Sequence, residues 1–266
     1  MQKSGLLLCA IVFAFAPAGE AAADPGGRIM TVERVTDRGD AVAWTLTASR
    51  EVVAAIEGAA IATGADFDFL LRTAALESSF DTELEAKTST ATGLYQFIER
   101  TWLLMMRAYG ERVGLDTLAT AVTFGEKGEC DVADAQLRDE ILALRNDVEL
   151  AAFMAAILAR QNASDMARAL GRAPESAELY IGHVMGATGG ARLIKLADSK
   201  PKQRADKAFR RAARANRSIF YDGRKPRSLD EVRDAITAKY EALRIKRALP
   251  PVRVVDLPAP ILLASE

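Results

Sequence analysis

Glu77 is the residue around which a chemistry can be assembled. It falls near the end of residues 67–78, where Phe67, Leu70, Leu71, Ala74 and Ser78 recur at three- and four-residue steps and mark one stripe of a helix. Glu77 sits beside that stripe, in the last turn. A helix C-terminus already carries negative partial charge, and an apolar flank withholds water. A carboxyl in such surroundings tends to hold its proton, the state a general acid requires. Helix ends also carry solvated glutamates that do nothing, so the residues C-terminal to Glu77 matter as much. Residues 81–92 are polar and rich in Thr and Ser, a loop composition. Glycosidic cleavage normally uses two carboxylates flanking the bond, and Asp81, Glu83, Glu85 and Glu99 are the candidates near Glu77 in sequence.

Three segments succeed one another at a telling spacing: Glu77-Ser78-Ser79-Phe80, Gly93-Leu94-Tyr95-Gln96 and Arg100-Thr101-Trp102. Together they resemble the catalytic core of soluble lytic transglycosylases, whose fold is shared with goose-type lysozymes. Tyr95 stands where that family commonly has Met. The resemblance covers roughly residues 50 to 200 and implies an enzyme that cleaves peptidoglycan glycan strands. In that family one Glu does both proton transfers. Carried onto this chain, Glu77 protonates the oxygen linking N-acetylmuramic acid to N-acetylglucosamine. It then takes the proton from the muramyl 6-hydroxyl, which closes a 1,6-anhydro ring without consuming water.

The resemblance also implies substrate-binding positions. Ser78 would bond the carboxyl or a sugar, or lie at a solvated helix end. Gln96 would line the cleft, and Tyr95 would stack on a sugar or simply pack. Tyr180, in Leu179-Tyr180-Ile181-Gly182-His183, resembles the Tyr of the family's Ala-Tyr-Asn-Ala-Gly motif, which holds the catalytic Glu; the Asn is missing here. His183 shares a helical face with Tyr180 and is either a packing residue or a sugar or peptide contact. Two other readings stay open. One is a muramidase, in which an added carboxylate positions a water. The other is a catalytically silent wall-binding or assembly module.

Composition narrows the alternatives. The 266 residues suffice for one sizeable domain or two small ones. Lys and Arg number 35 against 36 Asp and Glu, so the molecule as a whole is not built for nucleic acid. One His and two Cys exclude most zinc sites, and leave His183 as the sole base for any nucleophilic triad. No metal or cofactor is expected. Residues 1–23 read as a signal peptide: Lys3, an apolar run over 6–16 too short to span a bilayer, then Ala21-Ala22-Ala23 before Asp24. The mature chain is expected in the periplasm, not membrane-spanning, meeting peptidoglycan and envelope or secretion machinery. With Cys9 removed, Cys130 has no partner for an internal disulfide.

The elements that must position Glu77 read as all-α: a lysozyme-like helical domain over 49–200, with a basic helical extension over 201–247 and flexible termini. Residues 24–48 could make two short strands, at 30–35 and 41–46, or an extended arm; the arm is favoured. Ser49 is a plausible cap for a helix over 51–63, broken by Gly64-Ala65-Asp66. Thr101 is expected to cap the next helix, which Gly110 closes. Residues 125–131 read as a loop. Asn146 and Glu149 form an expected capping box for an alanine-rich helix over 148–161 at the centre of the domain. Another helix covers 175–185, and Gly186 to Gly190 turn the chain. Residues 195–227 are strongly basic, a solvated face or a contact for the anionic groups of the envelope. Ser228 and Glu231 are a second capping box, for a helix to about Ile245, and residues 248–266 form a Pro-rich tail.

Overall fold

A computed structural model describes residues 29–36, 42–126 and 129–248. The expected signal peptide, residues 24–28 and 37–41 of the expected arm, and the expected Pro-rich tail beyond Ala248 lie outside the described residues. Helix accounts for 63% and strand for 15%, so the fold is mostly helical but not all-α. The favoured arm is in fact strand. β1 (Ile29–Val35) and β2 (Val42–Ala48) pair antiparallel, with Val32 opposite Leu46. Period-two alternation buries Met30 and Val32. β-branched and apolar residues make a half-buried strand favourable only when a core lies beneath, and that core is not visible from the segment alone.

Ser49 caps α1 (Arg50–Thr63) by accepting from the Val52 N–H at 3.2 Å. Asp66 caps α2 (Phe67–Ser78) by accepting from the Phe69 N–H at 2.6 Å. α2 is buried on more than one stripe: Phe69, Leu70, Leu71 and every residue from Thr73 to Ser78 are buried. A helix enclosed on all sides belongs to the interior of a fold. α3 (Glu99–Tyr109) begins at Ile98 rather than Thr101, which is buried within it. α4 (Asp116–Ala121) leads into a small hairpin, β3 (Val122–Phe124) with β4 (Cys130–Val132), where a plain loop was expected. α5 (Ala135–Ala143) comes next.

α6 (Val148–Leu170) is the long central helix the alanines predict. Its cap is Asp147, which accepts from the Leu150 N–H; Asn146 instead accepts from the Thr92 hydroxyl at 3.2 Å. α7 (Ser176–Met185) and α8 (Ala187–Ser199) cross at glycine. A Cβ on Gly190 would stand 2.8 Å from the Gly182 Cα, so only glycine permits the approach.

The basic stretch is three short helices, α9 (Ala205–Ala208), α10 (Arg210–Ala215) and α11 (Arg217–Phe220), then a two-residue hairpin of β5 (Tyr221–Asp222) and β6 (Lys225–Pro226). Ser228 and Glu231 cap α12 (Leu229–Glu241) as a true capping box. The helix stops four residues earlier than expected, and β7 (Leu243–Ala248) pairs with β1, giving the sheet order β2-β1-β7. Leu229, Val232, Ile236, Tyr240 and Leu243 join the same core as α2 and α6. The stretch expected to be an extension therefore completes the domain.

Candidate active site

Glu77 lies in the last turn of α2, as its sequence position requires, and its side chain has 0% exposure. Burial of a carboxyl demands partners. The Oε1 atom has two: His183 Nε2 at 3.1 Å and the Tyr180 hydroxyl at a long 3.5 Å. The Oε2 atom has none. Tyr180 and His183 are both delivered by α7, three residues apart on one face. Their rings stack with centroids 5.7 Å apart, and Tyr180 stacks in turn on Tyr240 of α12 at 5.3 Å. Burial first, then the charge of Glu77, pushes the Tyr180 phenol well above its ordinary value. Its proton therefore stays in place, and the hydroxyl donates to Glu77.

Lys239 is a residue that sequence reasoning misses. Burial holds its ammonium down to about 8, partly opposed by the attraction of Glu77, while Arg34 of β1 lowers it further. α12 thus places a partly buried ammonium within the electrostatic reach of Glu77. A signal for it is present: Lys239 lies three residues after Ile236 and beside Tyr240, both on the inner stripe of α12.

The turn after Glu77 is built under strain. Ser79 and Phe80 have φ of 56° and 69°, and Gln96 has 48°. They are the non-glycine residues of positive φ among the described residues, and all three border Glu77 or the turn beside it. Left-handed backbone at non-glycine residues collects at functional sites because surrounding structure must enforce it. Gly93 has φ 78°, and a Cβ there would stand 2.2 Å from the Arg145 carbonyl oxygen. Arg145 fixes the loop by donating to the Thr90 carbonyl at 2.5 Å and the Phe97 carbonyl at 3.3 Å.

The remaining sequence candidates have structural partners. The Ser78 hydroxyl donates to the Leu94 carbonyl at 2.8 Å, bolting α2 to the turn instead of reaching Glu77 or solvent. Tyr95 is buried and its hydroxyl meets the Leu70 carbonyl at 3.3 Å, so it packs. Gln96 donates through Nε2 to the Leu84 carbonyl at 2.7 Å and the Gly93 carbonyl at 3.0 Å. Tyr95, Gln96 and His183 line a small apolar gap of about 10 Å³ between α2 and α6. Of the five positions placed around Glu77, the fold brings Tyr180 and His183 onto it and uses Ser78, Tyr95 and Gln96 to build the turn.

None of the candidate second carboxylates is buried as Glu77 is. Asp81 accepts from the Glu83 backbone N–H at 2.9 Å, and Glu99 pairs with Arg138 at 2.7 Å. Glu83 and Glu85 are exposed, unlike Glu77. The chemistry open to this arrangement is proton donation and recovery by one carboxyl. A scan against models of known protein families matches none of them.

Proposed function

We propose that the protein is a lytic transglycosylase with a lysozyme-like fold, exported to the periplasm, that cleaves the bond between N-acetylmuramic acid and N-acetylglucosamine in peptidoglycan. The observation that carries this reading is the lone buried carboxyl of Glu77, with one oxygen held by His183 and Tyr180 and the other unpartnered. Oε1 is oriented by its two partners, and Oε2 carries the proton to the bridging oxygen. Positive charge then develops at the muramyl anomeric carbon. The glutamate left behind is stabilised by the Tyr180 donor and by the charge of Lys239. It recovers its proton from the 6-hydroxyl of the same sugar, closing the anhydro ring. Proton out and proton back balance at one group, so the reaction needs no second carboxylate and no water.

Glu77 is fully shielded, so glycan must displace part of its cover before reaction. Closure of this kind also excludes water, which favours ring closure over hydrolysis. Mass spectrometry of sacculi digested by the purified protein decides the reading. Anhydromuramyl ends are expected, and Glu77→Gln should lower their release by about a hundred- to ten-thousand-fold or more. Single changes at Asp81, Glu83, Glu85 and Glu99 should do far less. Reducing muramic acid ends, with one of those four as necessary as Glu77, would make the protein a muramidase. No cleavage by the folded wild-type protein would make it a wall-binding module.

A further inference from the structure

Far along the chain from Glu77, and sharing no lining residue with its surroundings, α9, α10 and α11 wrap a cavity of about 250 Å³. Its wall carries Arg204, Lys207, Arg210, Arg214 and Arg217, with Asp206 as the sole acid. The spacing of three to four residues puts the cations on one side of the chain, while Ala205, Phe209, Ala212 and Phe220 are buried on the other. The helix breaks twice, at Phe209 and Asn216, with nearly the same backbone, φ −128° at both and ψ 54° and 58°. The breaks separate three short helices whose cations line one cavity.

The single acid is already engaged. Asp206 takes a two-pronged contact from Arg204, at 3.0 and 2.7 Å, and accepts from the Tyr221 hydroxyl at 3.2 Å. Arg204 holds its carboxyl below the ordinary value. Arg217 lies over the Tyr221 ring at 4.5 Å. These four residues make a fixed floor. Among the described residues, the side chains of Lys207, Arg210 and Arg214 form no ion pair. Like charges gathered in one concavity repel, and the chain has no general excess of positive charge to explain them, its net charge being −1.

We propose that this cavity is a binding site for a phosphate-class oxyanion carrying two or more charges. Arginine's planar fork matches phosphate oxygens two at a time. A multiply charged group answers Lys207, Arg210 and Arg214 together, with Arg217 beside them, where a single carboxylate would leave most of them facing one another. The cavity is smaller than the roughly 300–1,000 Å³ of whole small-molecule sites, so it takes the anionic group and leaves the rest of its bearer outside. That bearer is either free phosphate or pyrophosphate, or a phosphate displayed on an envelope lipid.

The test uses the mature chain at fixed ionic strength. Calorimetric titration with inorganic pyrophosphate is run beside flotation with vesicles of phosphatidylglycerol and of phosphatidylcholine. The double variant Arg210→Gln/Arg214→Gln is compared with a control, Arg112→Gln, whose cation lies on another surface over Tyr109. Binding of pyrophosphate, weakened at least tenfold in the double variant and unchanged in the control, is the expected result. Phosphatidylglycerol binding lost in the same variant, with or without pyrophosphate binding, assigns the phosphate to a lipid. Three results overturn the proposal: no binding in either arm, equal binding by the double variant with its melting temperature unchanged, or acetate competing as well as pyrophosphate. None of these readouts depends on glycan cleavage.

Discussion

The Tyr180 hydroxyl reaches Glu77 at 3.5 Å, near the outer limit of a hydrogen bond. Its removal should therefore be felt but not be fatal. A hydrogen bond contributes about 0.5–1.5 kcal/mol net, so under the proposed function Tyr180→Phe is expected to slow release of anhydromuramyl products about two- to tenfold, with the circular dichroism spectrum retained. A rate equal to wild type would show that His183 alone orients the carboxyl. Lys239 gives a pH signature. Its folded value, about 8, is below the ordinary 10.5, so between those limits the unfolded chain holds a proton the folded chain has released. Stability contributed by this group accordingly rises as pH climbs from 8 to 10.5, and below 8 the burial of an ammonium opposes folding in full. Urea titrations at about pH 7 and pH 10 should show that rise shrinking by on the order of 2 kcal/mol in Lys239→Met. Other titrating groups cancel in the comparison with wild type. An identical pH dependence in the two proteins would place Lys239 in solvent.

Among the elements, the joint between α2 and the Gly93–Gln96 turn carries the site. α2 is legible in the sequence because its apolar stripe and the breaker before it are local, though Asp66 reads there as part of the breaker and not as the cap it is. The turn is legible as composition only. Its shape depends on Arg145 and Asn146, distant in the chain, which fasten it by hydrogen bonds to Thr90, Phe97 and Thr92. Gly93→Ala tests that joint. It combines a positive φ with a Cβ 2.2 Å from a backbone oxygen, and neither can be relieved by a rotamer change. Destabilisation beyond about 2 kcal/mol in urea is expected, whereas Gly114→Ala, also at positive φ but with open space around it, should lose less.

For the molecule as a whole, the two ends of the described chain meet: β7 adds to β1, and the Arg72 guanidinium of α2 donates to the Leu243 carbonyl at 2.7 Å while lying over the Tyr240 ring. A chain cut after Pro226 loses Leu229, Val232, Ile236, Tyr240 and Leu243 from the core. Burial of each such side chain contributes about 1.5–3 kcal/mol, against a total stability of about 5–15 kcal/mol for a whole domain. The truncated chain should therefore show no cooperative melting transition. A cooperative transition near the wild-type temperature would make α12 and β7 dispensable to the domain. No helix among the described residues is long and apolar enough to cross a membrane.

Local rules carried much of this. Ser49 and Ser228 can be seen in the residue order because a cap and its helix are neighbours in the chain, although the same rule puts caps at Thr101 and Asn146 where the structure has Ile98 and Asp147. That Glu77 falls in the last turn of its helix, and that Tyr180 and His183 share one helical face, is legible for the same reason. What residue order does not reveal are partners separated by long stretches of chain. Residues 29–35 become the central strand of a sheet because β7 arrives on the side that β2 leaves open, and Lys239 comes under the influence of Glu77 because α12 packs on α7. Ser78 and Gln96 look like surface polar residues until the turn supplies carbonyl oxygens for them to donate to. A hydrogen bond or a buried charge is decided by what lies across the contact, and only the folded chain fixes that.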